Sequence, residues 1–559
     1  MQNNLTELAR IIRHNIVTST TEAGSGHPSS SLSSVELLTT LMFGGYFFQD
    51  LKNPRVMTND RLVFSKGHAA PLLYSLYAAA GGITQEELMS LRKFGSKIEG
   101  HPTPDFKYAD VASGSLGMGL SVGLGMALGI KLRAKTGELR SKREPKVFVL
   151  MGDSEVAEGQ IYEAAEIASF YTVNNLVGIL DVNRLGQRGQ TMLGWDLQTY
   201  QKRFESFGWN AIVIEDGHSI EEIKRAYDTH LSNQEKPTVF IAKTMKGKGV
   251  SLLENKDNWH GKAVPKENLE EALTEIGQID KQLKGSINAP QGSVSAAPRA
   301  SQHSSGAPTF ASPYSTREAY GDALVAIGTT DHNVVVIDGE TGNSTFSETF
   351  QKAFPDRFFE MYIAEQNMVS DLSMMRSLLN STVLYPSDPY QTLELIKQAN
   401  LSESIVYIRT SREKTDVLYK PTDRFKIGGS RVIKESAKDM AVIFAAGITL
   451  HESLKAYELL QKEGISLAVV DLYSIKPVDE ETVARLAKKY HAVIVAEDHY
   501  PYGGIGETVQ SVIQKSVLEP VTFTHLCVRK LPHSGAPQEL LHFEEIDAAA
   551  IVAAVKALK

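Results

Sequence analysis

The sequence predicts an α/β protein built on parallel sheets, and three observations carry that prediction. Residues 146–187 read as strand, helix, strand. The apolar runs 147–151 and 176–180 flank a segment with Ile161, Ala164, Ala165, Ile167 and Ala168 at helical spacing. Both runs are apolar without alternation, as in strands covered on both faces. Short apolar runs then alternate with helical patterns along much of the chain, at 61–64, 211–215 and 238–242, and again at 334–337, 358–363, 382–385 and 405–409. That alternation calls for a parallel sheet with helices on both sides. Finally, glycine-rich polar loops punctuate the strand ends, where α/β proteins place their sites.

The central unit is the most informative. Its first strand ends at Gly152-Asp153 and its second at Asp181-Val182-Asn183. If the strands are parallel neighbours, Asp153 and Asn183 emerge at one carboxyl edge. A carboxylate, an amide oxygen and a nearby free carbonyl suit a hard divalent cation that keeps a diphosphate as its remaining ligand. The amino end of the following helix faces the same anion. An ordinary α/β unit with a capping Asp and a turn Asn is the other reading of this stretch.

Composition limits the alternatives. A length of 559 residues corresponds to roughly three to four domains. The net charge of −8 gives no compositional case for nucleic acid or an anionic membrane as partner. A single cysteine, Cys527, excludes an intrachain disulfide framework and fits a reducing, cytoplasmic setting. The amino-terminal residues mix charged and apolar types at helical intervals and do not read as a signal peptide. The long uncharged run at 111–130 is rich in Gly and Ser, so a small-residue buried helix is expected there, not a membrane span.

Taken in order, the first domain spans 1–283. Its loops carry His27 in Gly24–Pro28, His68 in Ser65–Pro71, His101 in Gly100–Pro102 and His260 in Trp259–Lys262. Four of fifteen histidines thus sit in Gly- or Pro-containing loops, without metal-ligand spacing. Polar contacts to a hydroxylated or phosphorylated substrate are the better role for them. Residues 284–313, rich in Ser, Ala, Gly and Pro, read as a linker. A second α/β domain is expected over 314–425. A third, over 426–559, has strands at 441–445, 467–470 and 492–496.

Several of these motifs together resemble the transketolase family, of the shorter animal and bacterial form. They are Gly24-Ser25-Gly26-His27-Pro28, Ser65-Lys66-Gly67-His68-Ala69-Ala70-Pro71, Gly152-Asp153 with Asp181-Val182-Asn183-Arg184-Leu185-Gly186-Gln187, Trp259-His260-Gly261-Lys262, and Tyr362-Ile363-Ala364-Glu365-Gln366-Asn367-Met368. The resemblance covers nearly the whole chain. It implies diphosphate-binding, pyrimidine-binding and carboxyl-terminal domains, and a homodimer with active sites at the subunit interface. It implies thiamine diphosphate with Mg²⁺ or Ca²⁺ held by Asp153, Asn183 and the Leu185 carbonyl. His68, Ser115, Leu116, Gly152, Lys243 and His260 would surround the cofactor, and Glu365 would face its aminopyrimidine across the dimer from a poorly solvated place. Glu158 and Glu163 resemble interface carboxylates coupled to Glu365. His27, His101 and His260 would contact substrate and move protons, and Arg317, Ser344 and Arg412 would bind the sugar phosphate. The implied reaction is reversible transfer of a two-carbon ketol unit from a ketose phosphate to an aldose phosphate, in the pentose phosphate pathway.

The sequence departs from the family pattern twice. Ser154 follows Asp153 where the family has Gly, which ordinary backbone angles would permit. After Ser370 the family continues for several dozen residues that are missing here, including the aromatic wall of the pyrimidine pocket. The second domain should therefore lack central strands of its sheet. A truncated or noncatalytic homologue acting as a dimer partner is the alternative this raises. A related thiamine-dependent synthase making deoxyxylulose phosphate fits the His260 and Glu365 motifs less well.

Overall fold

The computed structural model describes residues 2–294, 308–368, 372–531 and 533–558. The chain divides into two compact units, Met1–Ala296 and Ala297–Lys559.

Unit 1 is built on a five-stranded sheet of β1 (Arg61–Phe64), β2 (Val147–Gly152), β3 (Leu176–Val182), β4 (Asn210–Ile214) and β5 (Thr238–Lys243). The spatial order is β1-β2-β3-β5-β4 and every pair is parallel. The expected α/β class and the five expected strands are all present. β2 and β3 lie in the middle, and the side chains from Val147 to Met151 are buried almost completely. That is why their sequences are continuous apolar runs rather than alternating ones.

The small-residue helix is Met118–Lys135, later than its uncharged run suggests at both ends. It starts late because Gly117 takes a left-handed φ of 90°, which breaks the helix there. It runs on because Lys131, Arg133 and Lys135 continue it on the exposed side at little cost in propensity. Its glycines have a packing cause. A Cβ on Gly123 would stand 2.5 Å from Val149 Cγ2 on β2. Residues 285–294, the start of the stretch read as linker, are held on unit 1. Gly285 N donates to Ala79 O at 2.9 Å, and Gly292–Val294 pairs with Leu139–Ser141. Residues 295–307 of the linker reading lie outside the described residues.

Unit 2 contains a five-stranded sheet in the order Arg431–Lys434, Ala468–Asp471, Val442–Ala445, Ala492–Ala496, Thr522–Leu526. The first pairing is antiparallel and the rest are parallel. Both edge strands escaped the sequence reading, because edges are half exposed and carry mixed residues such as Thr522 and His525.

The strands expected around 334–409 are also found, but they are split. Among the described residues Val336–Asp338 pairs only with Phe358–Glu360. Ser381–Leu384 joins Ile405–Ile408 and Ser474–Lys476 in a separate sheet. Among the described residues no ladder connects the two groups, in keeping with the expected loss of central strands. The strand read as 358–363 stops at Glu360, and Tyr362 takes a φ of 55°. Ile337, Ile363 and Leu379 are exposed. The junction at 369–371 lies outside the described residues.

Candidate active site

The register of β2 and β3 places Gly152 opposite Asp181, so Asp153 and Asn183 leave the sheet at one carboxyl edge. Asp153 is buried. It accepts hydrogen bonds from the backbone N–H of Ser154 (2.8 Å) and Arg184 (2.7 Å) and from the Thr191 hydroxyl (3.3 Å). Burial, reinforced by the nearby Asp181 charge, pushes its carboxyl up to about 6. A cation beside it would reverse that shift. Ser154 has ordinary helical angles (φ −67°, ψ −34°), so its presence in place of glycine carries no strain.

The orientation of Asn183 is fixed from below. Its Nδ2 donates to Asp181 Oδ2 at 2.9 Å, which leaves Oδ1 free to act as an acceptor. Oδ1 accepts the Leu185 N–H at 3.1 Å. Asp181 is itself anchored by Lys66 Nζ (2.5 Å), Ser33 Oγ (2.6 Å) and the Thr244 hydroxyl. Burial opposes its ionisation, but Lys66 prevails and holds the carboxyl below its ordinary value. Lys66 is only 2% exposed and also donates to Ser34 Oγ at 2.7 Å.

Four histidines converge beside this edge. The His27 ring lies 5.0 Å from His260, 5.1 Å from His68 and 6.3 Å from His101, and His68 lies 5.1 Å from His260. Burial first, then the surrounding positive groups, pushes His27 down to about 3 and His260 to about 4. His68 and His101 are lowered as well, chiefly by burial and then by Lys66 and Arg92 respectively. All four are neutral imidazoles at pH 7 and can each donate one hydrogen bond and accept another. The His27 Nδ1 is buried without a partner, as a ring waiting for a polar ligand would be.

The lysine beside the histidines is Lys246 rather than Lys243. Lys243 is exposed, its ammonium 5.4 Å from the Trp195 ring centroid. Lys246 is 3% exposed and aims inward. Its Nζ donates to the carbonyls of Leu185 (2.8 Å) and Gly186 (3.0 Å) and lies 2.9 Å from His260 Nδ1. Burial lowers its pKa to about 8. The reading missed it because β5 ends at Lys243, and only the turn beyond the strand decides which lysine faces in. A second missed group is Glu155, buried and accepting from Gly117 N (2.8 Å), Gly152 N (2.9 Å) and the Ser65 hydroxyl. It ties three glycine-rich loops together, and it occupies the N–H of Gly152.

Ser115 and Leu116 are exposed, and Glu158 stands exposed at the start of the helix Gly159–Phe170. Glu163 is half-buried on that helix. In unit 2, Arg317 Nη1 donates to Ser344 Oγ at 3.1 Å. Arg317 and Arg412 line one cavity of about 880 Å³ together with Arg409 and Ser411. Glu365 begins the short helix Glu365–Met368 and is exposed in the single chain.

Among the described residues no three His, Cys, Asp or Glu side chains gather into a metal site of their own. A cation here would depend on Asp153, Asn183 Oδ1, the Leu185 carbonyl and the oxygens of its ligand. The donor set fits a divalent cation carrying a diphosphate. It consists of hard oxygens, one of them a buried carboxylate, and beside them is a buried ammonium whose hydrogen-bond partners are neutral.

The fold and this edge define an α/β protein that gathers oxygen donors, histidines and a buried lysine at the carboxyl ends of its strands. Three family models match in order: "Transketolase, thiamine diphosphate binding domain" over residues 4–289, "Transketolase, pyrimidine binding domain" over 312–370, and "Transketolase, C-terminal domain" over 429–551. Human transketolase is 39% identical over 622 aligned positions, covering 99% of this chain and 97% of that protein. The fold matches a Campylobacter jejuni transketolase at a TM-score of 0.83, with 21% identity and 99% of each chain covered. It also matches a Pichia stipitis transketolase solved with sedoheptulose 7-phosphate at 0.80, with 19% identity and 99% and 97% of the chains covered. The chain belongs to the transketolase family and is a transferase of that type. The aligned span of 622 positions exceeds the 559 residues of this chain, and the pyrimidine-domain match stops at Ser370, where the sequence departs from the family.

Proposed function

We propose that the carboxyl edge of the unit 1 sheet is the diphosphate half of a transketolase active site. The carrying observation is the convergence of His27, His68, His101, His260 and Lys246 beside Asp153, Asn183 and the Leu185 carbonyl. In this reading Asp153, Asn183 and Leu185 hold Mg²⁺ or Ca²⁺. Lys246, in the role first given to Lys243, neutralises the diphosphate, and Ser115, Leu116, Gly152 and Glu158 border the cofactor. When bound, thiamine diphosphate supplies the carbon nucleophile that attacks the donor carbonyl. The neutral His27, His101 and His260 hold the sugar hydroxyls and move protons to and from them. Arg317, Ser344 and Arg412 grip the sugar phosphate, since a planar guanidinium matches phosphate oxygens. The sugar-phosphate class is supported by the Pichia stipitis complex.

The second half of the site comes from a second copy of the chain in a homodimer. Glu365 of that copy, exposed here, would meet the aminopyrimidine, with Glu158 and Glu163 coupled to it. The three-domain division and a cytoplasmic setting belong to the same reading. The latter is supported by a lone cysteine that stays a buried thiol.

One observation favours a second reading. Among the described residues the strands between Tyr314 and Thr415 fall into three groups that no ladder connects, as a domain without the family's aromatic wall would. A noncatalytic dimer partner would look like this. Calorimetric titration of thiamine diphosphate with Mg²⁺ into the chain, followed by a coupled ketol-transfer assay, separates the readings. Binding heat that Asp153→Asn weakens by about 100-fold supports the half-site. Turnover beside it supports the enzyme, and binding without turnover supports the partner. Absence of binding heat in the unaltered chain would refute the half-site.

A further inference from the structure

Behind Lys246 stands a chain of polar groups, Glu36 buried and Arg13 and His218 partly buried, that plays no part in the chemistry above. The loop after β5 carries Lys246, and it is pinned from the outer side by the loop after β4, Asp216-Gly217-His218. Gly217 N donates to Lys243 O at 2.8 Å, and Met245 N donates to His218 Nε2 at 2.9 Å. Gly217 allows this approach, since a Cβ there would lie 2.6 Å from Thr244 Cγ2. His218 Nδ1 is 2.9 Å from Glu36 Oε2, and Glu36 is paired with Arg13 at 2.5 Å. Arg13 Nε closes the circuit by donating to Lys248 O at 3.1 Å.

The hydrogen bonds fix the tautomer. Nε2 accepts the Met245 N–H, so it carries a lone pair. Nδ1 therefore carries the hydrogen and donates to Glu36. Burial works against a charge on Glu36, yet Arg13 and His218 hold its carboxyl at about 2. An ionised acceptor on one side thus keeps the imidazole aimed at a backbone N–H one residue before Lys246.

We propose that His218 is a positioning residue for Lys246, with Glu36 and Arg13 as its orienting pair. It rests on the reading of Lys246 as the diphosphate-side lysine. Its function is to fix the turn 244–247 so that the ammonium reaches the Leu185 carbonyl and His260 rather than solvent.

Two variants test this. Gln at 218 can place its side-chain oxygen where Nε2 stands and keep the Met245 bond. Asn can reach only the Nδ1 position and keeps the Glu36 bond instead. In the full chain without added ligand, amine acylation of Lys246 is followed by mass spectrometry. His218→Asn should raise Lys246 labelling by about tenfold, the scale expected when one buried N–H loses its acceptor. His218→Gln should stay within about threefold of the unaltered chain on the same basis. Equal labelling in His218→Asn and the unaltered chain would overturn the proposal, and so would equal labelling in the two variants. Because this readout needs no cofactor, a failure of thiamine diphosphate to bind would count against the half-site alone.

Discussion

Lys66 and Asp181 form the buried ion pair on which Asn183 rests. The pair is hydrogen-bonded to Ser33, Ser34 and Thr244, so neither charge lacks partners. Removing one member leaves the other buried alone. Lys66→Met should destabilise the chain by about 3–5 kcal/mol, read from urea unfolding. Asp471 presents the opposite case. It is buried with three neutral donors, Tyr419 (2.7 Å), Gln391 (2.8 Å) and Ser387 (2.9 Å). Burial raises its carboxyl to about 6 from an ordinary 3.8. The folded state therefore keeps a proton that the unfolded chain has lost between those values. Stability relative to Asp471→Asn should fall as pH rises through that window, by on the order of 3 kcal/mol, and level off above it. A flat difference between the two unfolding curves would contradict this assignment.

At the scale of elements, the glycine-rich helix Met118–Lys135 shows why composition can mislead. Its sequence lacks a polar stripe in the first turns because glycine lets it lie close on β2. Gly123→Ala places a methyl where Val149 already stands and should cost about 1–3 kcal/mol, seen as a lowered Tm. Gly125→Ala, on the same helix with open space around it, should be neutral or slightly stabilising through helix propensity. The loops are the other lesson. Glu155 binds Ser65, Gly117 and Gly152 into one platform, although nothing in the spacing of those residues announces a common partner.

For the molecule as a whole, unit 1 carries one continuous five-stranded parallel sheet, whereas the described strands of unit 2 between Tyr314 and Thr415 fall into separate small sheets. Ligand binding should therefore be governed by the unit 1 edge. Thiamine diphosphate with Mg²⁺ at 100 times its Kd should stabilise the full chain by about 2.7 kcal/mol. Chelation with EDTA should remove that gain, and excess Mg²⁺ should restore it. A gain that survives chelation would show that the diphosphate is held without a cation.

Much of this was legible in the residues. Continuous apolar runs at 147–151 and 176–180, bounded by turn residues, read as strands covered on both faces, and the parallel core agrees with them. Asp153 and Asn183 followed too, because the end of a strand is a position that sequence specifies. The histidine loops were visible as loops, but their convergence was not, since His27 and His260 are brought together only by the fold. Lys246 rather than Lys243, the aim of Asn183 and the hub at Glu155 were decided by tertiary structure. Each depends on which way a loop turns against a distant segment. Local spacing determines where a strand begins and ends, but the direction of a side chain beyond that end is set by what packs against it.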